Sequence, residues 1–111
     1  MQIREVVVTG KEQVVLQAGE LDEGPGPGEL LIESECTFIS SGTELANYTA
    51  KDPDVYLPGK WCSYPWRSGY ANVGVVRAVG EGVTRAQVGE RVFSYGPHAS
   101  AFRYPQTRLV V

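Results

Sequence analysis

Hydrophobic and polar positions alternate along most of this chain with a period of two, the signature of strands with one buried face. Ile3 to Val8 reads as a strand, with Val6 and Val8 on one face and Ile3, Glu5 and Val7 on the other. Thr9-Gly10-Lys11-Glu12 turns the chain, and Val14 to Gln17 returns to complete a hairpin. Leu30 to Ile39 alternates most cleanly: Leu30, Ile32, Ser34, Cys36 and Phe38 face one way, and Glu33, Glu35 and Thr37 the other. That pattern predicts a buried, unreactive Cys36. Ser40 to Glu44 carries a helix-start signal, with a short helix expected through about Tyr48.

Ser68 to Phe93 reads as a long strand, a glycine turn and the start of the next strand. Val73, Val75 and Val79 share one face with Arg77; Gly74, Val76, Ala78 and Gly80 share the other. A face that small lets a second backbone approach closely. Val92 to Tyr95 is a further strand, Gly96-Pro97 a turn, His98 to Arg103 a return strand, and Thr107 to Val111 a last strand. The count and the turn spacing predict an all-β domain, a small, partly open β-barrel with one or two short helices.

Composition narrows the class. The chain has 111 residues, enough for one domain with a modest core. Thirteen glycines and seven prolines fit a strand-and-turn architecture. The net charge of −3 argues against nucleic acid as a partner. Nine of the acids fall in residues 1–50, and eight of the bases in residues 51–111. This asymmetry fits a solvated surface. No apolar run reaches the roughly 18 residues of a membrane span, and no signal-peptide pattern opens the chain, so a cytoplasmic setting is expected. Cys36 and Cys62 have neither a metal-ligand spacing nor the look of a disulfide framework.

Residues 51–70, KDPDVYLPGKWCSYPWRSGY, read as a long loop dense in aromatic residues and proline. Loops of this length in a compact domain are often functional. Trp61, Tyr64 and Trp66 are expected either to fold on one another or to wall a substrate cleft.

From Gly69 onward the pattern G-x-x-x-x-G-x-V-x-x-V-G-x-G-V-T-x-x-x-V-G-x-R-V resembles the N-terminal, GroES-like catalytic domain of the medium-chain dehydrogenases/reductases, the zinc-type alcohol dehydrogenase family. Pro27-Gly28-Glu29-Leu30-Leu31-Ile32 is similar to the family's P-G-E strand start. Ile39-Ser40-Ser41-Gly42-Thr43-Glu44 stands where the family has I-C-x-S-D. The resemblance covers nearly the whole chain. It implies a GroES-like domain over residues 1–111, with a nucleotide-binding domain to follow. The apolar end Leu109-Val110-Val111 agrees with a truncated chain.

The same alignment bears on chemistry. Ser40 stands at the position of the family's zinc-ligating Cys, and Gly69-Tyr70-Ala71 at its G-H-E element, so Tyr70 replaces the ligand His. Neutral hydroxyls are poor zinc ligands. The four-cysteine lobe of the structural zinc has no counterpart after Phe93. The resemblance therefore implies a zinc-independent member, like the quinone and enoyl reductases, using NADP or NAD on a small-molecule substrate. The S-G-T-E variant and the lost G-H-E also resemble less typical members acting on large or aromatic substrates, tetrapyrrole or biosynthetic intermediates included. Tyr70 is the leading candidate to hydrogen-bond a developing oxyanion, with Ser40, Thr43, Glu44 and His98 as further acid–base candidates. Gly24-Pro25-Gly26-Pro27-Gly28 mimics a dinucleotide fingerprint, but a strand follows where a helix is required, so no phosphate cradle is expected here. Two other readings stay open: a stand-alone β-barrel binding or assembly module, and a zinc enzyme with ligands rearranged to His98, Cys62 or Glu44.

Overall fold

The computed structural model describes residues 1–110. β1 (Gln2–Gly10) and β2 (Gln13–Glu20) form the expected hairpin, and β4 (Trp66–Arg67) pairs with the other edge of β1 to give the sheet order β2-β1-β4. A second antiparallel sheet has the order β6-β5-β3-β7, from β3 (Glu29–Thr37), β5 (Asn72–Val79), β6 (Arg91–Ser94) and β7 (Ala101–Pro105). α1 (Thr43–Tyr48) follows β3, and 3₁₀ turns cover Pro53–Tyr56 and Gln106–Arg108. This is a strand-rich architecture, built as two sheets and not as a closed barrel.

The segment before β7 joins the two sheets. Val6 N–H donates to the His98 carbonyl, Ser100 N–H donates to Arg4, and Ser34 N–H donates to Ser100. Ala99 makes a single bridge to Glu5. His98 to Ser100 is thus a seam between β1 and β3, and β7 proper begins at Ala101, not at His98 as the pattern suggested.

The core lies on the second sheet. Leu30, Ile32, Val76, Val92, Phe102 and Tyr104 form one buried cluster. Burying each large aliphatic side chain contributes about 1.5–3 kcal/mol. On β5 the small face is the buried one: Asn72, Gly74 and Val76 point inward. A Cβ on Gly80 would stand 1.9 Å from the Gly26 carbonyl oxygen, so this turn closes only around a hydrogen.

Three expectations fail for local reasons. Cys36 is exposed, not buried. β3 slips its register against β5 between Ser34 and Cys36, and such a bulge turns the later side chains to the other face. Phe38, beyond the slip, is 72 % exposed. The last expected strand is a 3₁₀ turn over Gln106–Arg108, and its end at Val111 lies outside the described residues. Residues 51–70 are not all loop, since they contain a 3₁₀ turn and β4.

Candidate active site

Gly42 stands at the N-cap position of α1, so no side chain caps the helix there. The carboxylate of Glu44 reaches back instead and accepts from Ser40 N–H at 2.5 Å. That bond fixes Glu44 on the face of α1 turned toward the seam. His98 is held there by its own backbone, donating to Ser68 through its N–H and accepting from Val6 through its carbonyl. Its ring is squeezed against Gly69, where a Cβ would lie 2.8 Å from His98 Cγ.

The two side chains meet. His98 Nε2 lies 2.5 Å from Glu44 Oε1, and both residues are buried. An ionised carboxylate only accepts, so Nε2 carries the proton toward it. His98 Nδ1 lies 2.6 Å from Thr37 Oγ1, at the end of β3. The hydroxyl either donates to a neutral ring or accepts from an imidazolium. Thr37, His98 and Glu44 therefore form an unbroken hydroxyl–imidazole–carboxylate chain drawn from β3, the seam and α1.

This chain opens on a cleft of about 560 Å³. Val6, Val8, Val14, Ile39, Leu45 and Tyr48 supply its apolar wall, and Thr37, Ser40, Ser41, Glu44, Ser68 and His98 its polar side. No Lys or Arg lines it. Its size and its few convergent polar groups suit a small-molecule site.

Of the residues singled out in the sequence, Ser40, Glu44 and His98 share this cleft. Tyr70 does not line it and is 42 % exposed. Thr43 and Trp61 line a separate cavity of about 370 Å³ with Asn47, Asp52, Val55 and Cys62, on another face of α1. Trp61 is 69 % exposed and stacks edge-to-face on Trp66, with centroids 6.2 Å apart. Tyr64 donates its hydroxyl to the Asn47 carbonyl and packs edge-on against Tyr56 at 5.9 Å. Burial, with Tyr56 and Cys62 nearby, raises the Tyr64 phenol above its usual pKa. Much of the aromatic segment thus folds on itself and on α1. Thr37 was missed in the sequence, where it reads only as a polar position beside Glu33 and Glu35.

A catalytic zinc needs three protein ligands. Among the described residues no group of three His, Cys, Asp or Glu side chains is placed to hold a metal ion. In the cleft His98 and Glu44 are paired with each other, so the described residues alone offer no three-ligand set there. For a nicotinamide cofactor, Gly24 to Gly28 leads directly into β3, so no helix N-terminus is there to receive a pyrophosphate.

No helix among the described residues is long and apolar enough to cross a membrane. The chain is 35% identical over 102 residues to the 2-desacetyl-2-hydroxyethyl bacteriochlorophyllide A dehydrogenase of Cereibacter sphaeroides, covering 91% of this chain and 30% of that protein. Its fold superposes on JamJ enoyl reductase with a TM-score of 0.81 at 19% identity, over 100% of this chain and 35% of that one. It superposes on an alcohol dehydrogenase from E. coli CFT073, solved with NADH, with a TM-score of 0.75 at 20% identity, over 97% and 37%. The chain spans about a third of the length of these proteins. Residues 26–107 match the alcohol dehydrogenase GroES-like domain. With the glycine-rich β5 turn, the P-G-E strand start and the two-sheet fold all in place, the chain belongs to that family, the N-terminal domain of the medium-chain dehydrogenase/reductase oxidoreductases.

Proposed function

We propose that this chain is the substrate-side domain of a zinc-independent, NAD(P)H-dependent oxidoreductase that acts on a carbonyl, an alcohol or a conjugated double bond. The nucleotide-binding domain is proposed to belong to the same protein, and residues 1–111 are catalytically incomplete alone. The observation that carries this reading is the donor set of the cleft. The position where the family places its ligand Cys is Ser40, and the buried imidazole of His98 is bound to a carboxylate and a hydroxyl. These groups hold and move protons; they lack the thiolates that zinc favours. When bound, the reduced nicotinamide supplies the hydride. Ser40, Glu44 and His98 are assigned the acid–base work ahead of Tyr70 and Thr43, which lie outside the cleft.

The test uses the full-length protein. Purified without chelator, it is expected to contain well under one zinc per chain, to bind NADPH or NADH, and to keep its melting temperature when zinc is added. Stoichiometric zinc whose removal abolishes turnover would overturn the zinc-independent reading. Absence of nicotinamide binding would overturn the oxidoreductase reading.

A further inference from the structure

We infer that Thr37, His98 and Glu44 act as a proton-delivery chain, with Thr37 as the catalytic residue that touches the oxygen of an uncharged, largely apolar carbonyl substrate. This inference rests on the oxidoreductase reading above. It adds a residue that the sequence did not single out and a substrate class that the family membership leaves open.

Connectivity comes first. Both ring nitrogens of His98 are engaged, Nε2 by Glu44 at 2.5 Å and Nδ1 by Thr37 at 2.6 Å. The ring is buried and its backbone is bonded on both sides, so it cannot swing out to meet a ligand. Thr37 is part-buried where Glu44 and His98 are buried, and all three line the cleft. Thr37 is therefore the member of the chain most open to a ligand. Glu44 is pinned at its second oxygen by Ser40 N–H, which makes it a positioning residue that holds the ring.

The proton balance is simple. Reducing a carbonyl to an alcohol needs one hydride, from the reduced nicotinamide of the proposed reading, and one proton. The π pair of the C=O bond moves to oxygen. That oxygen takes the hydroxyl proton of Thr37 as Thr37 takes the Nδ1 proton of an imidazolium at His98. The ring is left neutral, with its Nε2–H still donated to Glu44, and recovers a proton from solvent. In alcohol oxidation the same proton runs in reverse.

The substrate class follows from the lining. Six of the twelve lining residues are apolar or aromatic, no Lys or Arg is among them, and Glu44 is the acid at the cleft. A carboxylate or phosphate on the substrate would meet no Lys or Arg, and the one cation of the relay, the His98 imidazolium, is already matched by Glu44, so the added anion would stay unpaired. A neutral carbonyl on an apolar body meets no such penalty.

Two experiments test this. The 111-residue chain contains one histidine, so ring-¹⁵N histidine NMR reports His98 alone. The wild type should show a proton fixed on Nε2, and Thr37→Val should shift Nδ1 while leaving Nε2 bonded. Rapidly averaged tautomers that Thr37→Val does not alter would overturn the chain of hydrogen bonds. The second experiment uses the full-length protein with NADPH and two aldehydes of similar shape, 4-isopropylbenzaldehyde and 4-carboxybenzaldehyde. Thr37→Val should lower kcat on the neutral aldehyde by about 100-fold with unchanged NADPH affinity, and Thr37→Ser should recover most of the rate. The anionic aldehyde should show kcat/KM at least about 10-fold lower than the neutral one. A Thr37→Val enzyme at wild-type rate would overturn the relay alone and leave the oxidoreductase reading standing. Equal use of both aldehydes, or NADPH binding with no turnover of the neutral one, would overturn the substrate class. A wild type that neither binds NADPH nor reduces either aldehyde would remove the oxidoreductase reading and the relay with it.

Discussion

Gly69 packs directly on the imidazole of His98: a methyl group at Gly69 would stand 2.4 Å from the His98 backbone nitrogen and 2.9 Å from its Cδ2. Gly69 also has φ of +102°, a region that L side chains rarely adopt. Backbone strain and overpacking therefore coincide against the same ring. Gly69→Ala is expected to lose about 1–3 kcal/mol in urea unfolding. It should also displace His98 from Glu44, read as a changed His98 ring spectrum. A variant of unchanged stability and unchanged spectrum would mean that the two residues are not in contact.

Ile32 has no exposed surface, and its Cγ2 fills the space that a side chain at Gly74 would need. Truncation leaves a cavity that the neighbouring Gly74, with no side chain, cannot fill. Ile32→Ala should cost about 2–5 kcal/mol and Ile32→Val about 0.5–1.5 kcal/mol. Domains of this kind are stable by about 5–15 kcal/mol in total. The alanine variant should accordingly show a large drop in thermal midpoint, and the valine variant a small one. Equal midpoints for the two would contradict the tight packing at this position.

On the outer face of the second sheet, Arg91 Nε donates to Glu35 at 2.7 Å and Arg91 Nη2 to its other oxygen at 3.1 Å. That hydrogen bond, with the charge of Arg91, holds the Glu35 carboxyl below its usual pKa. A depressed carboxylate contributes stability above its unfolded pKa of about 4.3 and loses it as pH falls through the lower folded value. Arg91→Leu should be slightly less stable than wild type at pH 7. The gap should close in acid and also shrink in high salt, because the pair is exposed. Urea midpoints at the two pH values and two salt concentrations provide the measurement, and a gap that widens in acid would reverse the sign.

Tyr64 behaves oppositely. Its phenol sits above the usual pKa, first because burial disfavours the phenolate and then because of Tyr56 and Cys62 nearby. The neutral form is the one that folds, so its contribution is complete below about pH 10 and is lost as pH rises through the folded value. Tyr64→Phe removes both the titration and the bond to Asn47, worth about 1 kcal/mol. The variant should be the less stable at pH 7, and its deficit should narrow in strong alkali. A constant deficit across that range would show that Tyr64 does not titrate with unfolding.

How legible was the site? Glu44 and His98 stand 54 residues apart, and nothing in their spacing joins them. Glu44 was visible as a helix-start acid, and His98 as the only histidine. Their union depends on the seam, which exists because β1 and β3 both lend hydrogen bonds to residues 98–100. Thr37 was hidden more deeply, because it alternates with Glu33 and Glu35 on what reads as a plain solvent face. The register slip after Ser34 redirects the end of β3, exposing Cys36 where alternation predicts burial.

What the sequence alone determined is local and periodic. The hairpin of β1 and β2, the strands β3, β5 and β6, the short α1 and the small face of β5 follow from side-chain alternation and from where glycine and proline fall, and the glycine-rich turn was enough to point to the family. What only the tertiary structure decided is which polar groups share one cleft. That depends on a strand slip and on a seam made of backbone hydrogen bonds, and every residue carries the same backbone donor and acceptor, so no pattern of side chains records where those bonds will form.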